Sequence, residues 1–389
     1  MDGVTNFSYF LAETMYVGEF IPRNLLIIDE AHNCDSELAK FIDVEISNDF
    51  VNQILDIDLP KLKTKKDFYI WVRDVFEPTL TKKKIHLEET IAQKLEIGIN
   101  HCDIVELMKQ NELYSKYGCK TRRFLKFYSP DNWILNEDND TEMTSINFKP
   151  VDISKYSQEL LFKYGRKVLF MSATIINKKR FCEINGLDID KTAFLSIPSP
   201  FSPKNKPIYY CPAGNMGLTQ ISETLPKIVK IIKKILKRHK NDKGIIHCHS
   251  YKITDFIKKN IRDRRLLSHH SKNRDKILKK HTISKKPTVI LSPSMQEGVD
   301  LKDNISRFQI ICKIPYPFLG DKLVQSRMKK WNWWYSFETT KKIVQSLGRS
   351  IRSKKDYAST YILDTCWDTF YNNNMNLFPK NFEKHFVNQ

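Results

Sequence analysis

The sequence predicts an α/β fold built around parallel sheet, on two observations. Two short apolar runs, Leu25-Leu26-Ile27-Ile28 and Val168-Leu169-Phe170-Met171, stop abruptly at polar residues. That is the pattern of a strand buried on both faces. Beyond residue 207, strand-like and helix-like patterns alternate, as they do in βαβ units.

Taken in order, the first run ends in Asp29-Glu30-Ala31-His32. From about 41 to 150 the character changes. Segments near 68–76, 82–98 and 101–113 read as amphipathic helices, separated by basic loops such as Lys63-Thr64-Lys65-Lys66 and Lys82-Lys83-Lys84. A polar, acidic loop follows at Asn136–Asp140. This reads as an inserted, mostly helical module. The second run ends in Ser172-Ala173-Thr174, and Pro198, Pro200, Pro203 and Pro207 then mark an interdomain linker, because proline disfavours continued helix or central strand. Strands are expected near 207–211, 244–248, 287–292, 307–312 and 359–363. Helices are expected near 219–239, 251–260, 273–282, 321–330 and 336–347. The expected organisation is a first domain from 1–40 and 151–197, an insert over 41–150, and a second domain over 198–389.

Composition narrows the class. Among 389 residues, 64 Lys and Arg face 45 Asp and Glu, a net charge of +19. An excess of that size suits a polyanionic partner, although lysines that merely solvate the surface would produce the same count. No apolar run approaches the ~18–20 residues of a membrane span, and the first residues have neither the basic nor the apolar region of a signal peptide. The eight cysteines are scattered, with no Cys-x-x-Cys. Reduced thiols in a cytoplasmic or nuclear setting are therefore expected, and zinc is not. His247-Cys248-His249 ends a strand pattern and reads as packing.

The residues that carry chemistry stand at strand ends, where open α/β sheets bind ligands. Asp29 and Glu30 are adjacent carboxylates that can hold Mg²⁺ and orient or deprotonate an attacking water. Far downstream lies Gln345-Ser346-Leu347-Gly348-Arg349-Ser350-Ile351-Arg352. Arg349 and Arg352 are three apart, on one helical face, and their guanidinium groups can stabilise charge on a γ-phosphate. Gln296-Glu297-Gly298-Val299-Asp300 follows the strand pattern near 287–292. Trp331, Trp333, Trp334 and Tyr335 could form a base-stacking platform or core beneath a loop, and their crowding favours core.

The order of these elements resembles superfamily 2 helicases of the XPD/DinG-like branch. The matches are Asp29–His32 for motif II, Ser172–Thr174 for III, Ile245–Tyr251 for IV, Glu297–Asp300 for V and Gln345–Arg352 for VI. Ser199-Pro200-Phe201, Pro315–Asp321, Trp334-Tyr335 and Asp356-Tyr357 with Tyr361–Asp364 add branch-level likeness, with Ala358 where the family usually has glycine. The resemblance implies two RecA-like domains, the first incomplete, around an arch-like insert. It implies ATP-dependent unwinding or translocation on single-stranded or fork DNA, with ATP between the two domains. Asp29 and Glu30 would handle Mg²⁺ and water, with His32 beside the nucleotide. Gln345, Arg349 and Arg352 would sense the γ-phosphate, and Gly298 and Asp300 would couple nucleotide to DNA. Ser172, Thr174, Ser250, Tyr251 and Glu297 would contact the strand.

One departure is large. No Gly-x-x-x-x-Gly-Lys-Ser/Thr occurs in the chain, and Gly118-Cys119-Lys120-Thr121 lacks the first glycine. The family places that phosphate-cradling loop, and in many members an iron–sulfur region, before motif II, and residues 1–28 can build neither. The expectation is a chain that needs an upstream helicase segment for hydrolysis. The competing reading is a catalytically inactive fragment that binds DNA or a partner. An RNA helicase of the DEAH-box type would share Asp29–His32 but not Pro315–Asp321.

Overall fold

The computed structural model describes residues 3–387, except 19, 61–63, 98–100, 138–144, 294–300, 302, 352 and 354–355. The chain forms two compact units, Met1–Ala193 with Leu319–Trp331, and Phe194–Phe318 with Asn332–Gln389. Segment 319–331 falls inside the expected second domain but groups with the first unit.

The first unit opens with α1 (Phe7–Ala12), whose N-terminus is capped by Asn6: its Oδ1 accepts from Tyr9 N–H at 2.7 Å. Then come β1 (Arg23–Ile28), α2 (Cys34–Ile42) and β2 (Val44–Ser47). Thr64 and Asp67 form a reciprocal capping box that starts α3 (Lys65–Trp71), satisfying two orphan N–H groups at once. A π-helical turn leads into α4 (Glu77–Ile97), and α5 (His101–Phe127) follows. β3 (Trp133–Glu137), β4 (Ser145–Pro150), α6 (Ser154–Leu160), β5 (Gly165–Phe170) and α7 (Lys178–Asn185) complete the run.

The helical insert carries a small sheet that the sequence reading missed. β2, β4 and β3 form an antiparallel ladder in that order, with Val44 opposite Phe148 and Leu135 opposite Phe148. Ile146, Phe148 and Pro150 alternate inward along β4, and Phe148 stacks on Phe68 at 4.3 Å. The alternation was readable. The pairing was not, because β2 and β4 lie about a hundred residues apart in sequence.

β1 and β5 pair in parallel, Ile27 opposite Leu169. Their inner face, with Leu26, Ile28, Val168 and Phe170, packs on the unit's core. The outer face leaves Leu25 49%, Ile27 53%, Leu169 44% and Met171 41% exposed. Among the described residues neither strand pairs with a third. Parallel sheet is ordinarily covered on both faces, so this one is half dressed.

The second unit is a six-stranded parallel sheet, from β6 (Ile208–Gly214), β7 (Gly244–His247), β8 (Leu266–Ser268), β9 (Val289–Ser292), β10 (Phe308–Ile311) and β11 (Ser359–Asp364), in spatial order β6-β11-β10-β7-β9-β8. β7, β9 and β10 are buried at every position. Gly244 is required there, since a Cβ would meet the Phe308 ring at 2.5 Å. Its helices are α8 (Ile221–Arg238), α9 (Tyr251–Asn260), α10 (Arg274–Ile283), α12 (Trp334–Leu347) and α13 (Cys366–Asn374). The intervening α11 (Lys322–Lys330) belongs to the first unit. There Arg327 Nη1 lies 3.3 Å from Asp35 Oδ2, and its Nε–H donates to the Val151 carbonyl. Of the four aromatics expected to be core, Trp331 and Trp334 are buried, and Trp333 and Tyr335 are half-buried. No helix among the described residues is long and apolar enough to cross a membrane.

Candidate nucleotide and nucleic-acid site

In the first unit, β1 delivers Asp29 and Glu30 to its carboxyl end, both exposed. Glu30 takes a left-handed conformation, φ 47° and ψ 39°, which costs a non-glycine residue about 1–2 kcal/mol. Asp29 Oδ1 accepts from the Glu30 N–H at 2.8 Å, and the Ala31 N–H donates to the Met171 carbonyl at 3.0 Å. The chain thus turns sharply against the end of β5.

That turn brings two motifs together. His32 is buried, and its Nδ1 lies 2.7 Å from Ser172 Oγ and 3.2 Å from Glu30 Oε2. Ser172 Oγ lies 3.3 Å from Thr174 Oγ1 and accepts from the Thr174 N–H at 3.1 Å. Glu30, His32, Ser172 and Thr174 form one polar relay across the ends of β1 and β5. Residues about 140 apart in sequence are thereby linked within hydrogen-bonding reach.

In the second unit, β7 ends at His247 and the chain turns through His249, also left-handed at φ 63°. The His249 Nε2–H donates to the Tyr316 carbonyl at 3.2 Å, which ties motif IV to the Pro315–Pro317 loop. Burial, with Lys313 and Lys342 adding, pushes His249 down to about 4. Ser250 caps α9, accepting from Ile253 N–H at 3.2 Å. Tyr251 is exposed and stacks on His270 at 5.8 Å. His270 was not foreseen; it follows β8, a three-residue strand too short to signal itself.

Gln345 is buried on α12, and Arg349 follows that helix just past its cap, Gly348. The Arg349 carbonyl accepts from Leu301 N–H at 3.4 Å. Burial pushes His247 down to about 4, opposed by Gln309 and reinforced by the positive charge of Arg349. Beyond motif VI, Arg307 Nη1 bonds the buried Asp356 at 2.6 Å and its guanidinium lies 4.2 Å from the Tyr357 ring centre. Glu297, Gly298, Asp300 and Arg352 lie outside the described residues. Among those described, no group of three or more His, Cys, Asp or Glu is placed to hold a metal. Asp29 and Glu30 as a pair still fit Mg²⁺, which takes one or two carboxylates and completes its shell with phosphate and water.

The parallel sheets, with polar residues at their strand ends, define an α/β fold of RecA-like class. Residues 232–385 match the family described as "Helicase C-terminal domain". The chain is 26% identical over 255 residues to an ATP-dependent DNA helicase DinG of Photobacterium profundum, covering 60% of this chain and 36% of that one. It is 24% identical over 290 residues to a probable ATP-dependent helicase of Methanocaldococcus jannaschii, covering 67% and 43%. The chain thus spans less than half the length of these two relatives. Among solved structures it is similar to S. tokodaii Xpd4, with TM-score 0.60, 16% identity, and coverage of 98% of this chain and 80% of that one. A second, titled XPD helicase, gives 0.56 at 15% identity, with 95% and 71% covered. In sequence the chain is similar to ATP-dependent helicases, and in fold it is similar to XPD structures.

Proposed function

We propose that this chain is part of an ATP-dependent translocase acting on single-stranded DNA. The observation that carries the reading is the relay from Glu30 through His32 to Ser172 and Thr174. It couples the acidic turn to a second strand end, the coupling a motor needs between nucleotide and strand. In this reading Asp29 and Glu30 hold Mg²⁺ beside the nucleotide phosphates, and the ion would neutralise their charge. Glu30 takes the proton of the attacking water. Gln345 and Arg349, with Arg352, sense and stabilise the γ-phosphate. Ser172, Thr174, Ser250, Tyr251 and Glu297 contact DNA, and Gly298 and Asp300 link that contact to the nucleotide.

The phosphate cradle is not among these 389 residues. Its backbone N–H groups and lysine grip the β- and γ-phosphates in such motors, so turnover requires a polypeptide segment that carries it. The exposed outer face of β1 and β5 supports the same view, because an added α/β segment would cover it. The decisive experiment is ATP turnover with single-stranded DNA, using the chain alone and joined to a segment bearing the cradle. We expect turnover only in the second case. Turnover by the chain alone would overturn the division of labour, and none in either would favour an inactive DNA- or partner-binding role.

A further inference from the structure

We propose that the groove between the C-terminal ends of α8 and α9 binds the phosphate backbone of nucleic acid, at the strand-start end of the second unit's sheet. The groove measures about 640 Å³ and is lined by Lys233, Lys237, Lys240, Lys259 and Arg262. All five are exposed, and none makes an ion pair among the described residues. The one carboxylate in the lining, Asp263, is held by Arg265 at 2.8 Å.

Lysines near a helix C-terminus often serve the last carbonyls. Here that work is done by Arg265. Its Nη1–H groups donate to the His239 and Lys240 carbonyls at 2.7 and 3.1 Å, and Nη2–H donates to Leu236 at 2.9 Å. The wall is braced and the five cations stay free to face outward. Like charges gathered in a concave surface repel one another and concentrate counterions. A polyanion relieves both effects by displacing those ions. No aromatic ring lines the groove to stack a base, so the chemistry recognised is the phosphate chain and not a sequence.

Position separates this groove from the residues that follow the end of β7. α8 and α9 lead into the starts of β7 and β8, whereas Ser250 and Tyr251 stand just beyond the carboxyl end of β7. The inference rests on the reading that the chain acts on nucleic acid and adds a second binding surface for it. The test is binding of single-stranded DNA across a salt series by the full chain, by Lys237→Glu/Lys240→Glu/Lys259→Glu and by the matching triple Gln variant. We expect the log–log salt slope to flatten by about 2, since each phosphate no longer neutralised on a single strand removes ~0.7. Affinity at low salt should fall roughly 10-fold or more, most in the Glu variant, with thermal melting unchanged because the side chains are exposed. Variants that bind with parental slope and affinity would overturn the groove alone. A parent chain that binds no DNA would overturn both the groove and the functional reading.

Discussion

At the residue scale, Glu30 is asked to do two things that conflict. It supplies a carboxylate, and it does so from a left-handed backbone that glycine would occupy more easily. Glu30→Gly should therefore be more stable than Glu30→Ala by about 1 kcal/mol, although both lose the carboxylate. Equal denaturation midpoints for the two variants would show that the turn is unstrained. With the cradle-bearing segment supplied, Glu30→Gln should lose ATP turnover and keep nucleotide binding, since an amide cannot accept the water's proton. Arg349→Lys should cut turnover on the order of 10³-fold despite keeping the charge, as read by steady-state ATPase. Collapse of DNA affinity with turnover intact would reassign Arg349 to the strand. The strand-end place of Asp29 and Glu30 was legible in the sequence, whereas the helical face expected to carry Arg349 was not found, because α12 ends at Leu347. His32's link to Ser172 and the Tyr251–His270 stack were not legible, because each joins side chains across separate strand ends.

At the scale of elements, the second unit was the more readable. β7, β9 and β10 are short continuous apolar runs, and α8 shows a buried Ile and Leu face against exposed lysines. α8 is a core element accordingly: Ile228→Ala should cost about 2–5 kcal/mol, measurable by urea denaturation. The unit also holds buried His247 and His281 and half-buried His249, each pushed down by burial to about 4 from an ordinary value of 6.5. His281 shows why neutrality is built in. Its Nε2–H donates to the Ile305 carbonyl at 2.8 Å while Nδ1 lies 2.8 Å from Thr288 Oγ1. Unfolding raises the affinity of these rings for protons, so the stability they confer is complete above pH ~6.5. It should be lost as pH falls from 6.5 towards 4, by about 1.4 kcal/mol per pH unit for each ring. Thermal melts of the chain across that window check it, and a flat profile would mean the rings are hydrated. In the first unit the insert's helices were legible from periodicity, whereas its sheet pairs strands that α3, α4 and α5 separate in the sequence.

At the scale of the whole molecule, the net charge of +19 gathers partly in one braced groove, a clustering that a residue count cannot reveal. The order of the motifs along the chain carried the fold class, and the helicase relatives agree with it. The return of segment 319–331 to the first unit had no signal in the sequence, because the partners of Arg327 lie some 180 and 290 residues upstream. The two-strand sheet of that unit has a consequence in time as well as in structure. Backbone amides on the outward edges of β1 and β5 have no neighbouring strand among the described residues, so deuterium should replace their protons far faster than in β7 or β10, whose amides exchange only through opening of a sheet flanked on both sides. When a segment joins that edge, the same amides should slow by orders of magnitude while those of the six-stranded sheet keep their pace. The exchange clock of β1 would then report assembly directly, strand by strand, without any reference to nucleotide or DNA.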